Sequence, residues 1–373
     1  MPRVIISATG TEIPDGRVSN EELVASFNAW VDRENARRGP AGQELLEHSS
    51  AEFIEYASGV KARHMLDPQG VLDIDRMAPR FADRANDELS LMAEFGCKAA
   101  VKALDAAGLK GSDIDFVICA ASHQQRPYPA IAVEIQRELG CAGAGFDMNL
   151  ACSSAGAALH VAASLVRSGA QRRVLVVTPE IISGHLNFRD RQTHFIFGDA
   201  AAAMVVEALD EGEARPGAFE ILDTRNWTQF SSNIRSNFGF LNRAAQDDQS
   251  AVVMEGRLIT QVGNKVFKEV TVAAHHFMRD FLADNGLTAR DVRRFWLHQA
   301  NGRMNAMILK LVLGGEADHD RAPMVLSELG NTAAAGAVVA FDQNQDDLKS
   351  GDIGLFCAFG AGYSIGGAIL RRL

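Results

Sequence analysis

The hydrophobic and polar positions of the chain follow two patterns that alternate along its length. Apolar residues spaced three and four apart predict amphipathic helices over residues 88–107 and 264–285. Short runs that are apolar throughout predict strands over residues 116–121 and 294–297. Strands that alternate with helices are typical of a mixed α/β sheet, so we predict the α/β fold class.

The same order of elements occurs twice, which predicts an internal repeat of about half the chain. In both copies a small-residue helix follows, near Cys152 in the first and near Asn331 in the second, and an apolar strand comes after it. Helices that are apolar on every side are buried between layers. We therefore predict two pseudo-symmetric halves, residues 1–210 and 211–373, with the two helix starts converging on one site and Cys152 aligned with Asn331.

Composition narrows the class of protein. With 373 residues, 47% of them hydrophobic and 23% charged, the chain can bury a large core, and it shows no signal segment and no membrane span, so we expect a cytoplasmic protein. The five cysteines are scattered without a C-x-x-C pair, which argues against a disulfide framework and a metal site. A net charge of −10 opposes nucleic-acid or membrane partners, so an acidic partner would need a local basic patch.

Three residues are candidates for chemistry. Cys152 precedes a predicted helix whose N-terminal dipole is expected to lower a thiol pKa of about 8.5 by one unit or more, although a packing role is equally open. His298 closes an apolar strand, as a general acid or base would or as a structural hydrogen bonder would. Asn331 opens the second small-residue helix, where it could also be only an N-cap.

Five motifs in order carry a resemblance to a known family: Ala151-Cys-Ser-Ser-Ala-Gly156, Phe197-Gly-Asp-Ala-Ala201, His298-Gln-Ala-Asn301, Gly330-Asn-Thr-Ala-Ala334 and Phe359-Gly-Ala-Gly362. Over nearly its whole length the chain resembles β-ketoacyl-[acyl-carrier-protein] synthase III, of the thiolase-fold condensing enzymes. The resemblance implies a thiolase-like fold with five αβαβα layers.

The resemblance also implies a reaction and its residues. Cys152 would accept the acyl group of an acyl-CoA primer, and His298 and Asn331 would bind malonyl-acyl-carrier protein while it loses CO2. Enolate charge develops on the malonyl thioester oxygen, and two neutral donors aimed there stabilise it by about 3 kcal/mol each. The backbone N–H groups of Cys152 and Ala361 would form the second oxyanion hole. No cofactor is implied beyond the two substrates.

Further contacts follow from the resemblance, with an ordinary solvated surface as the alternative for each charged residue. It implies CoA binding at Arg191, Phe53 and Asn264, and carrier-protein docking at Lys268, Arg303 and Lys310. In a homodimer, Tyr128 would close the acyl pocket of the partner subunit.

Two departures from the family leave the primer open. Phe53 and Ala57 stand where the family has tryptophan and arginine, and residues 28–48 form a longer, more charged segment. That segment would cover the primer entrance or the dimer edge, or be a plain surface insertion. These departures favour a primer longer than acetyl.

Other functions remain to be weighed against 3-oxoacyl-carrier-protein synthesis. A related enzyme could use a different acceptor and form an ester, a quinolone ring or a ketone, and a non-catalytic chain-length subunit would keep the fold. Gly362-Tyr-Ser-Ile-Gly366 matches a serine-hydrolase motif, but only seven residues follow it, too few for the triad partners.

Overall fold

The computed structural model describes residues 2–239, Asn242 and residues 255–373. In these residues the helices are α1 (Asn20–Arg38), α2 (Ala51–Ser58), α3 (Pro68–Leu72), α4 (Leu91–Ala107), α5 (Ile131–Leu139), α6 (Ser154–Arg167), α7 (Gly263–Asp284), α8 (Gly302–Leu313), α9 (Leu326–Leu329) and α10 (Ala335–Gln343). The strands are β1 (Arg3–Glu12), β2 (Arg17–Ser19), β3 (Ala62–His64), β4 (Phe116–Ala120), β5 (Ala144–Met148), β6 (Arg173–Glu180), β7 (Ala200–Leu209), β8 (Phe219–Thr228), β9 (Ile234–Arg235), β10 (Thr260–Gln261), β11 (Val292–Leu297), β12 (Ile353–Gly360) and β13 (Ser364–Arg372).

The predicted helices and strands are confirmed with small shifts at their ends. The helix over residues 88–107 is α4 and begins at Leu91, where the Ser90 side chain accepts a hydrogen bond from the Ala93 N–H. This cap satisfies one of the free N–H groups of the first turn. The predicted strands over residues 116–121 and 294–297 are β4 and β11.

The main sheet shows the repeat directly. Its nine strands lie in the order β11-β12-β13-β8-β1-β7-β6-β4-β5. In the first half β4 and β6 are parallel, and β6, β7 and β1 are antiparallel. In the second half β11 and β12 are parallel, and β12, β13 and β8 are antiparallel. The halves join where β1 pairs with β8, so the sheet contains two copies of one strand order.

Three apolar cores separate the layers. The central core packs α6 and α10 against residues of both sheet halves. A second core packs α4 and α5 on the outer face of β4, β6 and β7, and a third packs α7 and α8 on the outer face of β11, β12 and β13. The arrangement is helix, sheet, helix, sheet, helix, which confirms the predicted five layers. The proposed division at residue 210 stays a prediction and falls in the loop between β7 and β8.

The halves differ at one edge. β5 pairs in parallel with β4 and ends the sheet of the first half. The described part of the second half has no matching strand beyond β11. The open edge of β5 therefore belongs to the first half alone.

Candidate active site

Cys152 lies in a tight turn between β5 and α6. The Asn149 side-chain oxygen accepts a hydrogen bond of 2.8 Å from the Ala151 N–H, and Ala151 has φ +49°. The Leu150 N–H donates to Ser154 Oγ at 2.8 Å. Cys152 stands two residues before the helix start, with its side chain partly exposed.

Asn331 lies in the same kind of turn in the second half. Its side-chain oxygen accepts a hydrogen bond of 3.0 Å from the Ala333 N–H, and Ala333 has φ +45°. Asn331 is thus the counterpart of Asn149, and the residue that matches Cys152 is Ala334. The alignment of Cys152 with Asn331 is therefore wrong by three positions, because the turn geometry and not the small-residue pattern sets the register.

The ends of β6 and β12 confirm this register. Both strands have eight residues, the first ending at Glu180 and the second at Gly360. Glu180 Oε1 accepts a hydrogen bond of 3.1 Å from the Ala334 N–H. A Cβ on Gly360 would lie 2.7 Å from the Cys152 Cβ and 2.9 Å from its backbone nitrogen. Each strand end thus meets the turn of the other half, and Gly360 is what allows Cys152 to approach so closely.

His298 follows the last residue of β11. Its N–H donates to the Cys357 carbonyl at 2.9 Å, and the Asn305 side-chain amide donates to the His298 carbonyl at 2.8 Å. The imidazole is 2% exposed and packs edge-on to Phe359, with ring centroids 5.3 Å apart. Burial lowers the pKa of His298 to about 3, so the ring is neutral and can serve as a neutral donor.

Contacts through neighbouring residues connect the predicted residues to one another. Cys152 meets Gly360, the neighbour of Phe359, against which His298 packs. Cys152 and Ala333, of the Asn331 turn, also border one apolar cluster. Asn331 is 5% exposed and pairs through its backbone with residues 196–198 of the first half. The site thus forms between the halves, as predicted.

The expectation of a lowered thiol pKa is wrong. Burial raises the pKa of Cys152 to about 12, and the negative charge of Glu180 raises it further. The backbone N–H groups of Cys152 and Ala361 act in the opposite sense on the sulfur. Desolvation therefore outweighs these two donors, and Cys152 is a neutral thiol before it reacts.

The same two N–H groups are the predicted oxyanion donors. Both act on the Cys152 sulfur, so an acyl group bonded there would place its oxygen close to them. Among the residues that the structure describes, the non-glycine residues with positive φ are Met77, Ala151 and Ala333. Ala361 is not one of them, so an alanine fits the backbone of this loop without strain.

The residues expected to hold CoA lie around α2. The Arg191 guanidinium stacks over the Phe53 ring, 4.9 Å from its centroid, and pairs with Glu47 at 2.5 Å. Glu47 belongs to the segment 28–48, which therefore reaches the predicted primer entrance. Asn264 is exposed in the first turn of α7. Three residues before it, the Gln261 side chain donates a hydrogen bond to the carbonyl of Gln192, the residue after Arg191.

The three basic residues expected to meet a carrier protein are exposed on two packed helices. Lys268 is on α7, and Arg303 and Lys310 are on α8. Arg303 stacks on Tyr56 of α2 at 4.7 Å, and Lys310 pairs with Glu316 at 3.1 Å. Arg303 thus contacts α2, the helix that also carries Phe53 of the predicted primer entrance.

Tyr128 lies on the surface before α5 and is 81% exposed. In a single chain it therefore closes no pocket. Its predicted role requires a second subunit.

Sequence reasoning missed Asn149, Glu180, Gly360 and Asn305. Glu180 had a visible signal, since a carboxylate at the end of the apolar run 174–178 is unusual for a strand buried on both faces. The other three depend on hydrogen bonds and close approaches that the sequence does not display.

Two kinds of feature are absent from the described residues. No group of three or more His, Cys, Asp or Glu side chains is arranged to hold a metal ion. No described helix combines the length and apolar character needed to cross a membrane.

Two family models and several known proteins resemble this chain, among them acyl-carrier-protein synthases. Residues 146–223 match the family described as 3-oxoacyl-[acyl-carrier-protein] synthase III, and residues 282–372 match its C-terminal family. A β-ketodecanoyl-[acyl-carrier-protein] synthase of Pseudomonas aeruginosa is 48% identical over 351 residues, covering 93% of this chain and 99% of the relative. A β-ketoacyl-[acyl-carrier-protein] synthase III of Chelativorans sp. is 31% identical and covers 100% of both chains.

A solved structure shows the same likeness. The priming β-ketosynthase of the R1128 polyketide pathway superposes with a TM-score of 0.79 at 26% identity, covering 99% of this chain and 96% of that one.

Proposed function

The chain belongs to the 3-oxoacyl-[acyl-carrier-protein] synthase III family, and from this premise we propose that it condenses a medium-chain acyl-CoA with malonyl-acyl-carrier protein. It is an acyl-transferring condensing enzyme with a role in fatty-acid synthesis. The product of the proposed reaction is a 3-oxoacyl-carrier protein, with CoA and CO2 released.

The observation that carries the proposal is the 48% identity to a β-ketodecanoyl-[acyl-carrier-protein] synthase over 93% of this chain. A decanoyl product has ten carbons, of which malonyl supplies two after losing CO2. The primer is therefore an eight-carbon acyl group, octanoyl-CoA. This agrees with the hypothesis of a primer longer than acetyl.

In the first step the Cys152 sulfur attacks the thioester carbonyl of the primer. The C–S bond to CoA breaks, the acyl group stays on Cys152, and the thiol proton leaves with the CoA sulfur. Because burial keeps the thiol protonated, proton loss accompanies the attack. The N–H groups of Cys152 and Ala361 stabilise the oxyanion that forms in between.

In the second step malonyl-carrier protein loses CO2, and the electron pair moves onto its thioester oxygen. Neutral His298 and the side-chain amide of Asn331 donate to that oxygen. Asn331 can do so because its side-chain oxygen is already committed to the Ala333 N–H, which leaves its N–H groups for the ligand. The enolate carbon then attacks the Cys152 thioester, and the released thiolate takes up a proton.

We propose that the active form is a homodimer joined at β5. Among the described strands β5 is one of the two edges of the main sheet, and Phe146 on it and Val133 on α5 are exposed. An open edge with apolar neighbours favours pairing with a second strand. Tyr128 lies in the loop before α5, so such a pairing would carry it towards the acyl pocket of the partner.

Carrier and CoA contacts are assigned on charge and position. The chain has a net charge of −10, so exposed cations grouped on α7 and α8 offer an acidic carrier protein a local attraction. Lys268, Arg303 and Lys310 take this role. CoA would be bound by Arg191, Phe53 and Asn264. The proposed compartment is the cytoplasm, where both substrates are available.

Intact-mass measurement tests the function. After incubation with acetyl-, octanoyl- or palmitoyl-CoA, we expect the largest gain from octanoyl-CoA and no gain on Cys152→Ala. The acylated enzyme should then release 3-oxodecanoyl-carrier protein when malonyl-carrier protein is added. An equal gain on Cys152→Ala would refute the acyl-enzyme.

The acceptor is tested in the same assay. Turnover with malonyl-CoA alone, or a product that is an ester, a ring or a ketone, would assign the chain to an enzyme with a different acceptor. Acylation without any turnover would favour a non-catalytic subunit.

A further inference from the structure

Glu180 is a buried carboxylate at the active site to which no catalytic step has yet been assigned. It ends β6, its side chain is fully buried, and it lies close enough to Cys152 for its charge to raise the pKa of that thiol. An ionised carboxylate is costly to bury unless donors surround it. The donors around Glu180 therefore indicate what it does.

Three hydrogen bonds reach Glu180 from two elements of the site. Oε1 accepts from the Ser122 N–H at 2.7 Å and from the Ala334 N–H at 3.1 Å, and Oε2 accepts from Ser122 Oγ at 2.7 Å. Ser122 follows β4, in the first half. Ala334 follows Asn331 in the turn of the second half, so one carboxylate joins both halves.

The pseudo-symmetry explains why this bond is there. Ala334 is the counterpart of Cys152, and Glu180 is the counterpart of Gly360. The N–H of Cys152 must stay free for the oxyanion of a substrate, and Gly360 has no side chain to occupy it. The matching N–H of Ala334 is taken by Glu180 Oε1, which occupies the place that a substrate oxygen takes in the other turn.

We propose that Glu180 is a positioning residue for decarboxylation, holding the turn that presents Asn331 through the Ala334 N–H. This inference rests on the proposed function, since it concerns the step that uses Asn331. Glu180 is connected to the Cys152 turn only indirectly. Ser122 donates to Glu180, and the Ser122 carbonyl accepts a hydrogen bond of 2.9 Å from the Asn149 side chain. Loss of Glu180 should therefore affect the two half-reactions unequally.

Other titratable groups lie next to Glu180 and influence the pH at which it is protonated. His123, in the loop after β4, has its Nδ1 3.5 Å from Glu180 Oε2, and the His185 ring lies 3.8 Å from the His123 ring at an angle of 48°. Asp199, beside β7, raises the pKa of Glu180 by its charge, and burial brings that pKa to about 8. Burial lowers the pKa of His123 and His185, so both are neutral near pH 7.

The test separates the half-reactions in Glu180→Leu and Glu180→Gln. Leucine removes every acceptor, so we expect CO2 release from malonyl-carrier protein to fall by about 100-fold, as small misplacements of a catalytic group do. Acylation of Cys152 by octanoyl-CoA should change little. Glutamine keeps an acceptor for the Ala334 N–H, so it should retain CO2 release near that of the wild type.

A charge-dependent readout complements the rates. Glu180 is ionised above its pKa of about 8, which is the range in which Cys152 loses its proton. Glu180→Gln removes that negative charge, so the pH profile of Cys152 alkylation by iodoacetamide should move to lower pH. Glu207→Gln is the matched control, a buried glutamate on β7 paired with Arg173 at the far end of β6. It should change neither the ratio of the half-reactions nor the alkylation profile.

Several outcomes would overturn the inference. Equal losses in both half-reactions for Glu180→Leu, or a Glu180→Gln variant as impaired as the leucine variant, would do so. If the leucine variant does not fold, the glutamine variant decides, and an unchanged alkylation profile counts against the inference. Failure of the proposed function itself would be seen separately, as wild-type protein that releases no CO2.

Discussion

The two turns at the centre of the molecule have the same backbone and opposite chemistry. In both, an asparagine accepts the N–H of an alanine with positive φ two residues on, at 2.8 Å for Asn149 and 3.0 Å for Asn331. The first turn carries the nucleophile Cys152, which lies against Gly360. The second turn carries the donor Asn331, and its Ala334 N–H is bound by the Glu180 carboxyl group. A nucleophile needs space in front of it, whereas a hydrogen-bond donor needs to be fixed.

The asparagines themselves show the same division. The Asn149 side-chain amide donates a hydrogen bond of 2.9 Å to the Ser122 carbonyl, and Asn149 is exposed. The amide of Asn331 has no such bond among the described residues, and the residue is buried. One asparagine therefore supports its turn, while the other is free to bind substrate.

The largest expected effect comes from removing the donors of the second half. For Asn331→Ala or His298→Ala, CO2 release should fall by about 10²–10³-fold, as loss of one oxyanion donor does. Acylation of Cys152 should persist, which intact mass after octanoyl-CoA would record. The matched control is Asn149→Ala, which alters the same kind of turn without removing a substrate donor. An equal fall in CO2 release for that control would contradict the distinction between the two turns.

Giving β12 a side chain at Gly360, the position where β6 has Glu180, should be almost as harmful. The new methyl of Gly360→Ala would lie 2.7 Å from the Cys152 Cβ, so the turn must shift. We expect acylation to slow by about 100-fold. Gly184→Ala is the control, because its Cβ would lie 3.8 Å from Phe81. Near-normal acylation of Gly360→Ala would show that the free space at Cys152 is not required.

The order of elements and the fold class could be predicted from the sequence and are confirmed, while the catalytic roles of Cys152, His298 and Asn331 stay predictions. The prediction was possible because hydrophobic periodicity and strand-end positions are visible along a chain. The register of the repeat was misjudged because Cys152 and Asn331 both lie near small-residue helices. The turns that set the true register depend on one hydrogen bond and one φ angle, which residue types do not reveal.

The pKa of Cys152 could not be predicted for a related reason. The sequence shows a cysteine before a helix, and the dipole argument considers only that neighbour. Burial is a property of the whole fold, and so is the approach of Glu180 from a strand 28 residues further on. The wrong expectation came from omitting desolvation.

A smaller effect is expected for the supporting asparagine of the first turn. Asn149→Ala removes its bonds to Ala151 and Ser122, and exposed hydrogen bonds of this kind contribute about 1 kcal/mol each. The melting temperature should fall by a few degrees, while CO2 release by acylated enzyme stays near normal. Thermal unfolding and the single-turnover assay check this. A collapse of CO2 release with unchanged stability would mean that Asn149 also contacts the malonyl group.

The smallest expected effect is the absence of a pH limb from His298. Its pKa is lowered to about 3, so the ring binds a proton only below that pH and is neutral above it. CO2 release by acylated enzyme should therefore show no loss from this group between about pH 5 and 8, whereas an ordinary histidine would titrate near 6.5. The acyl-transfer step should behave differently, rising with pH because the pKa of Cys152 is raised to about 12. An acid limb near pH 6.5 in CO2 release that His298→Gln abolishes would show that His298 becomes charged during the reaction. In that event the second half would supply a proton as well as fixed donors, and the contrast between a reactive first turn and a passive second turn would have to be abandoned.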